Sequence, residues 1–203
     1  MAAVMTLSTP VLAALAALLA APGLAAAQAT SAPLPSARVG FEIGFGLYLG
    51  EINCDDANGN DQCAGVTEAG GVDLHANYFF TPQLGVFVDV WPMVHTEDAW
   101  SFTHNIVTIG AKVRPIPLVT LAAGVGSAQA RVRFDDGVFA GESESDVVGA
   151  AFVAAGVDVV RGRGFAIDVE ARVGVGFYGD DNRDGTAVVT GRNLGLGAGF
   201  TWF

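Results

Sequence analysis

Apolar side chains alternate with small or polar ones along most of this chain. From Val39 to Leu49, for example, a bulky apolar residue occupies every second position. A period of two residues is that of a β-strand with one apolar face, whereas a helix would repeat about every 3.6 residues. The alternation recurs in eight segments, at about residues 38–49, 72–80, 84–94, 105–114, 119–126, 153–159, 165–177 and 193–202. Because no convincing amphipathic helix lies between them, the sequence predicts an all-β fold of eight strands.

The connections between these segments alternate between short and long. Short turns are expected at 81–83, 115–117 and 161–164, and long links at about 51–71, 95–103, 131–146 and 178–187. Strands joined in this way form an antiparallel up-and-down sheet with all short turns at one end. Fifteen of the 21 acidic residues lie in the four long links, so those links are expected to be solvated loops.

The remaining six acidic residues all lie on the face that carries small residues. They are Glu42, Asp73, Asp89, Asp158, Asp168 and Glu170. The interior of an eight-stranded barrel is only wide enough for its own side chains, so the bulky apolar face must point outward. A closed sheet with an apolar exterior and charges inside satisfies every backbone group within lipid. The sequence therefore predicts an eight-stranded antiparallel transmembrane β-barrel; the alternative is a soluble, lipocalin-like barrel with an apolar lumen.

The N-terminal residues have the composition of a targeting segment. Residues 4–27 are rich in Ala and Leu, and two A-x-A sites close at Ala27 and Ala29. This pattern predicts a secretory signal peptide over 1–29, cleaved after one of those two alanines, although no Lys or Arg precedes the apolar stretch. The alternative is a retained transmembrane anchor. Residues 30–36, with two prolines, are expected to be a linker, which leaves 37–203 for the barrel.

Overall composition limits the classes of function. The chain has 10 basic and 21 acidic residues and a formal charge of −11, which argues against a broad nucleic-acid surface. Its 51% hydrophobic content excludes a disordered chain.

Three features together resemble a known family. They are the glycine-alternating strands, the turn at 79–85 and the closing segment at 195–203. In these features the chain is similar to the small eight-stranded outer-membrane barrels of Gram-negative bacteria, the class that includes the OmpA transmembrane domain and OmpX-like proteins. The resemblance implies an outer-membrane location, contact with outer-membrane lipids, a monomer, and recognition of the last strand by the barrel-assembly machinery. Phe203 departs from the family pattern, because it lies on the opposite parity from Phe200 and Trp202.

Inward-facing charges predict a polar network in the lumen. Six acids outnumber the two bases that clearly face inward, Lys112 and Arg172. Because a buried carboxylate is stabilised by a cationic neighbour, we expect the network to be organised around these two bases, with His75 also taking part. Asp89, on the adjacent strand, is the expected partner of Lys112.

The loops contain three further candidate sites. Cys54 and Cys63 are expected to form a disulfide in the first long loop, since an exported protein meets oxidising conditions. Asp180, Asn182 and Asp184 fit the first half of a calcium-binding loop, but the twelfth position is Gly191 rather than Glu. The alternative is that these residues simply form turns. The outward-facing Arg131, Arg133 and Arg192 suit the phosphates of lipopolysaccharide, or else salt bridges to acidic loops.

Catalytic and transport functions have little support in the sequence. There is no G-x-S-x-G motif, and four large side chains on the inward face argue against an open pore: Phe87, Trp91, Met93 and Phe152. The expected function is a structural or surface-interaction role, without an enzyme activity and without a cofactor other than loop calcium. The alternatives are a lipid-modifying barrel enzyme and a narrow channel or small-ligand carrier.

Overall fold

The computed structural model describes residues 39–56, 68–135, 137–178 and 188–203. The predicted signal peptide and linker lie outside these residues. The described strands are β1 (Gly40–Asp56), β2 (Ala69–Phe79), β3 (Leu84–Glu97), β4 (Trp100–Ile116), β5 (Val119–Asp135), β6 (Ala140–Glu144), β7 (Val148–Arg161), β8 (Phe165–Phe177) and β9 (Val188–Trp202). Within the same ranges, no helix is long and apolar enough to cross a membrane.

Eight of these strands close into a barrel. Each strand pairs antiparallel with its neighbours in the order β1-β2-β3-β4-β5-β7-β8-β9, and β9 pairs with β1 to complete the ring. The short strand β6 instead pairs with the upper part of β5, beyond the last β5–β7 pair. The predicted eight-stranded antiparallel barrel is confirmed.

The bulky face of the sheet points outward, as its volume requires. Leu49 is 77% exposed and Leu47 63%, whereas Asp73 is fully buried and Glu42 is 2% exposed. In the lumen, large side chains pack directly against glycines. At Gly195, for example, an added Cβ would lie only 2.9 Å from Cζ2 of Trp91, which is too close for a side chain. The barrel thus has the apolar exterior and polar interior that a lipid bilayer demands.

The two ends of the barrel differ, although less sharply than the sequence suggests. The three short turns are present, although the one predicted at 115–117 lies at 117–118, because β4 continues to Ile116. At the other end, the predictions of long loops at 95–103 and 131–146 are wrong. Residues 95–103 largely continue β3 and β4 around a two-residue turn, and residues 131–146 contain the β5–β6 hairpin. Polar residues, including Ser101 and Thr103, occupy the outer face of these strand ends. The apolar alternation that is typical of a membrane strand therefore ends before the strand itself ends.

Pro92 interrupts the ladder between β2 and β3. The pairing includes Gly71 with Met93 and Leu74 with Val90, but it omits Val72 and Asp73, which lie between them. Proline has no N–H to donate to a neighbouring strand. The barrel wall therefore has a local gap in its hydrogen bonding at this point.

Candidate functional site

Arg172 is the centre of the polar lumen. It projects inward from β8 and is 4% exposed. One terminal nitrogen donates to both carboxylate oxygens of Asp89, at 3.2 and 3.0 Å, and the other donates to Asp73 at 3.0 Å. Its Nε donates to Glu170 on the same strand. A single guanidinium thus joins three carboxylates from β2, β3 and β8.

Aromatic rings complete the surroundings of Arg172. Its guanidinium carbon lies 4.5 Å from the ring centre of Tyr48, 5.5 Å from that of Phe152 and 5.7 Å from that of Trp91. These distances are in the cation–π range. The Tyr48 hydroxyl also donates to Glu170 at 3.2 Å, so the charged cluster and the aromatic cluster form one packed unit.

His75 is held between two inward-facing oxygen groups. Its Nδ1 lies 2.5 Å from Asp73 Oδ2, and its Nε2 lies 3.1 Å from the Thr201 hydroxyl. The order Asp–His–hydroxyl is that of hydrolytic triads. Both His75 and Thr201 are less than one-tenth exposed, however, and Asp73 is also bound by Arg172, so the arrangement is suited to packing rather than to attack on a substrate. Thr201 is a contact that sequence reasoning missed, although its inward parity could have indicated it.

Two further arginines lie at the turn end of the lumen. Arg114 donates to both oxygens of Glu42, at 2.7 and 2.8 Å, and its guanidinium lies 3.7 Å from the centre of the Phe79 ring. Arg161 lies 3.5 Å from Asp158, donates to the carbonyl of Pro117 at 2.8 Å, and lies over the ring of Phe203 at 5.8 Å.

The sequence does not identify Arg161 as an inward-facing residue, because two-residue alternation along β7 assigns its side chain to the outer face of the barrel. A register shift between Asp158 and Val160 reverses the parity, and Arg161 then pairs with inward-facing Ala166. Phe203, the residue that departs from the family pattern, contacts this inward-facing arginine. Nothing in the alternation of residues signals such a bulge.

The expected pairing of Lys112 with Asp89 was wrong. Lys112 lies opposite Gly85 on β3, whereas Asp89 lies opposite Thr108, so the two are offset by four residues. Asp89 bonds to Arg172 instead. Neither Lys112 nor Asp168 has an ion pair within 4.0 Å among the described residues.

Lys112 lines a small cavity at the centre of the lumen. The cavity measures about 10 Å³, which leaves room for about one water molecule. Its polar lining includes Asn77, whose side-chain amide has no hydrogen-bond partner in the described protein. A site of this size has no space for an organic ligand.

At the loop end, His104 and Asn193 form a second polar contact. The His104 Nδ1 lies 2.7 Å from the Asn193 side-chain oxygen, and the Asn193 amide donates to the His104 carbonyl at 3.3 Å. The ring centre of Tyr178 lies 5.9 Å from that of His104. Burial raises the pKa of Tyr178 to about 12, so its phenol stays neutral at physiological pH. Ile106 and Met93, which also face the lumen, are buried.

Two of the arginines predicted to contact lipopolysaccharide bind carboxylates in this structure. Arg131 lies 3.2 Å from Glu142 and also contacts Glu144, and Arg133 lies 3.8 Å from Asp135. All of these residues are on β5 and β6. Arg192, on β9, is half-buried. Arg131 and Arg133 therefore form salt bridges, as in the alternative interpretation, and contact of the three arginines with lipopolysaccharide remains a prediction.

The other loop predictions fall largely outside the described residues. Cys54 is buried, and no described cysteine is free, but Cys63 is not described, so their disulfide remains a prediction. The calcium candidates Asp180, Asn182 and Asp184 also lie outside the described ranges.

Comparisons with known proteins support the fold. No family model and no curated protein sequence matches the chain. Among solved structures, it is similar to Ail, the attachment invasion locus protein of Yersinia pestis, with 16% identity and a TM-score of 0.55 over 81% of this chain and 99% of that one. It is also similar to Neisserial surface protein A, with 16% identity and a TM-score of 0.56 over 80% of this chain and 96% of that one. With its apolar belt outside and its charges enclosed, the chain is a small eight-stranded β-barrel of the outer-membrane type.

Proposed function

We propose that this protein is a closed outer-membrane barrel that acts through its loop-end surface. The observation that carries the proposal is a set of contacts across the lumen: Arg172 and the rings packed around it bridge the interior from β8 to β2 and β3. A barrel without an open path has little capacity for transport. The buried Asp73–His75–Thr201 contact likewise gives no access to a substrate, which favours a role without catalysis.

The surface available for interaction is a sheet that extends beyond the membrane belt. It consists of the upper ends of β3, β4 and β5 (94–97, 100–103 and 131–135) together with β6, and we call it the loop-end sheet. Its strands are paired in register, as Thr96 with Ser101, Ser101 with Arg133, and Arg133 with Glu142. Binding residues placed on such a rigid scaffold are typical of recognition surfaces.

The charge of the loops limits what this surface is suited to bind. One of the similar structures is Ail in complex with the heparin analogue sucrose octasulfate, which is a polyanion. In the present chain, the long links hold most of the acidic residues. We therefore propose attachment to neutral or cationic molecules rather than to sulfated sugars.

Further partners follow from the barrel's environment. Outer-membrane lipids would surround the apolar belt, and Arg131, Arg133 and Arg192 would meet lipopolysaccharide phosphates by exchanging their carboxylate partners. The barrel-assembly machinery would read the last strand, and the folded barrel would be a monomer. Calcium would bind at Asp180, Asn182 and Asp184.

Deleting most of the β5–β6 hairpin tests the proposed surface role. Cells that display the intact protein should attach to a panel of surface and matrix proteins more strongly than cells that display the barrel with 133–143 replaced by a short turn. Both proteins must first show the same electrophoretic shift on heating, which reports a folded barrel. Equal attachment by both would contradict the proposal. A change in lipid A mass on expression would favour the enzyme alternative instead.

A further inference from the structure

The loop-end sheet has an inner face, which continues the lumen side of the barrel wall. Trp100 has the inward parity of Phe102 and His104, which are both buried. At the top of this face, Glu97 on β3 pairs with Trp100 on β4, and Trp100 pairs with Phe134 on β5. Directly paired residues lie on the same side of a sheet. One carboxylate and two aromatic rings thus form a row across three strands, which we call the mouth row (Glu97, Trp100 and Phe134).

The mouth row combines a fixed ring with an accessible carboxylate. His95 Nδ1 donates to the carbonyl of Glu68 at 2.5 Å, and the centre of the His95 ring lies 5.2 Å from that of Trp100. The indole is therefore packed against a hydrogen-bonded imidazole. The side chain of Glu97 is 59% exposed, and Phe134 is 42% exposed. A molecule at the mouth of the barrel can reach both ends of the row.

The mouth row has a negative charge without a basic side chain beside it. Among the described residues, no Lys or Arg lies within 4.0 Å of the Glu97 carboxylate; its ion-pair contact is with His95, at 3.8 Å. Arg131 and Arg133 are on the outer face of the sheet, where they contact carboxylates of β5 and β6. In the part of the chain that the structure describes, no cationic side chain lies over either ring of the row.

The lumen shows what the same combination of groups holds elsewhere in this protein. Three arginines each lie over an aromatic ring and beside a carboxylate. The sets are Arg114 with Phe79 and Glu42, Arg161 with Phe203 and Asp158, and Arg172 with Tyr48 and Glu170. A guanidinium is attracted by the ring face and donates to the carboxylate at the same time. The mouth row has the ring and the carboxylate of these sets, but the described chain supplies no cation to it.

Strand spacing sets the size of ligand that the mouth row suits. Neighbouring strands lie about 4.8 Å apart, so Glu97 and Phe134 are separated by about 10 Å, with Trp100 between them. Beyond Phe134, the next position in the row is Gly141 on β6, where an added Cβ would have no atom within 4 Å. The row therefore suits a ligand with a cation at one end and a short apolar chain at the other.

We infer that the mouth row binds a small organic cation from outside the cell, in which a guanidinium is attached to a short apolar chain. The guanidinium would lie over the Trp100 ring and donate to the Glu97 carboxylate, and the chain would contact Phe134 and extend over Gly141. The mouths of β-barrels are frequent sites of small ligands. This inference rests on the proposed surface role and gives that surface a class of ligand.

The test compares two ligands of nearly the same shape. Butylguanidinium carries the positive charge, whereas butylurea has the same chain and a neutral head group. Each ligand is titrated into the full barrel in nanodiscs, and the NMR signal of the Trp100 indole N–H reports binding. The chain has three tryptophans, and the spectrum of Trp100→Phe shows which indole signal belongs to Trp100.

Butylguanidinium should shift the Trp100 signal of the wild-type protein in a saturable way. Butylurea should bind at least about tenfold more weakly, because it offers no charge to the ring or to the carboxylate. Glu97→Gln should weaken the binding of butylguanidinium by about three- to tenfold. Glu142→Gln is the matched control, since it removes a carboxylate from the outer face of the same sheet, and it should leave the affinity unchanged.

Three results would overturn the inference: no saturable shift with butylguanidinium, equal affinity for butylurea, or an unchanged affinity in Glu97→Gln. Equal affinity for butylurea would mean that the face binds apolar chains without regard to charge. If cells then still attach through the β5–β6 hairpin, the surface role stands without a site for organic cations. If the hairpin is dispensable for attachment, the proposed function fails as well.

Discussion

Arg172 on β8 donates to both carboxylate oxygens of Asp89 on β3, at 3.2 and 3.0 Å, across the barrel lumen. The strands β8 and β3 are not neighbours in the ring. This contact therefore joins opposite walls through side chains alone. It is also the contact that replaces the expected Lys112–Asp89 pair.

Removing the Arg172 charge should destabilise the barrel strongly. Arg172→Met keeps much of the side-chain volume but leaves Asp73, Asp89 and Glu170 without their shared cation, and breaking a buried ion pair costs about 3–5 kcal/mol. The free energy of unfolding in lipid vesicles, measured by urea titration, checks this. Arg163→Met, at an exposed turn position, is the control and should change little. An unchanged midpoint for Arg172→Met would contradict the assigned network.

Double-mutant cycles should separate Arg172 from Lys112. We expect a coupling energy of about 1.5–3 kcal/mol between Arg172 and Asp89, since the bond is buried and charge-assisted. Between Lys112 and Asp89, the coupling should be below about 0.5 kcal/mol. The cycles use Asp89→Asn with Arg172→Met or Lys112→Met. The reverse ranking would restore the expectation drawn from the sequence.

That expectation shows what the sequence could and could not predict. Alternation predicts which face each residue occupies, so the inward positions of Glu42, Asp73 and Asp89 followed from counting. Partner choice depends on register between strands, and a four-residue offset separates Lys112 from Asp89. The bulge after Asp158 likewise hides Arg161, because one extra residue reverses the parity of everything beyond it.

Glycines that face large side chains should not tolerate a methyl group. At Gly195 a Cβ would lie 2.9 Å from the Trp91 ring and 3.5 Å from Tyr48. We expect Gly195→Ala to lower the free energy of unfolding by about 1–3 kcal/mol, because overpacking strains the lumen. A Cβ at Gly70 meets no atom within 4 Å, so Gly70→Ala is the matched control. Equal midpoints for the two variants in urea would argue against the interlocked packing.

Replacing Pro92 should repair the β2–β3 ladder. Pro92→Val adds one N–H between Val90 and Val94, whose side chains are both exposed on the outer face, and one added hydrogen bond contributes about 0.5–1.5 kcal/mol. Hydrogen exchange at the Val72 amide, which faces β3, should become slower, and thermal unfolding should shift upward. Unchanged exchange at this amide would mean that the gap has another cause.

Ion conductance across a planar bilayer tests the closed barrel most directly. The wild-type protein, inserted from detergent, should show no long-lived open state, because Arg172, Trp91 and Phe152 pack together in the lumen. Insertion is verified in the same preparation by the electrophoretic shift on heating. A stable open level in most wild-type insertions would contradict the closed lumen, and with it the assignment of function to the loop-end surface.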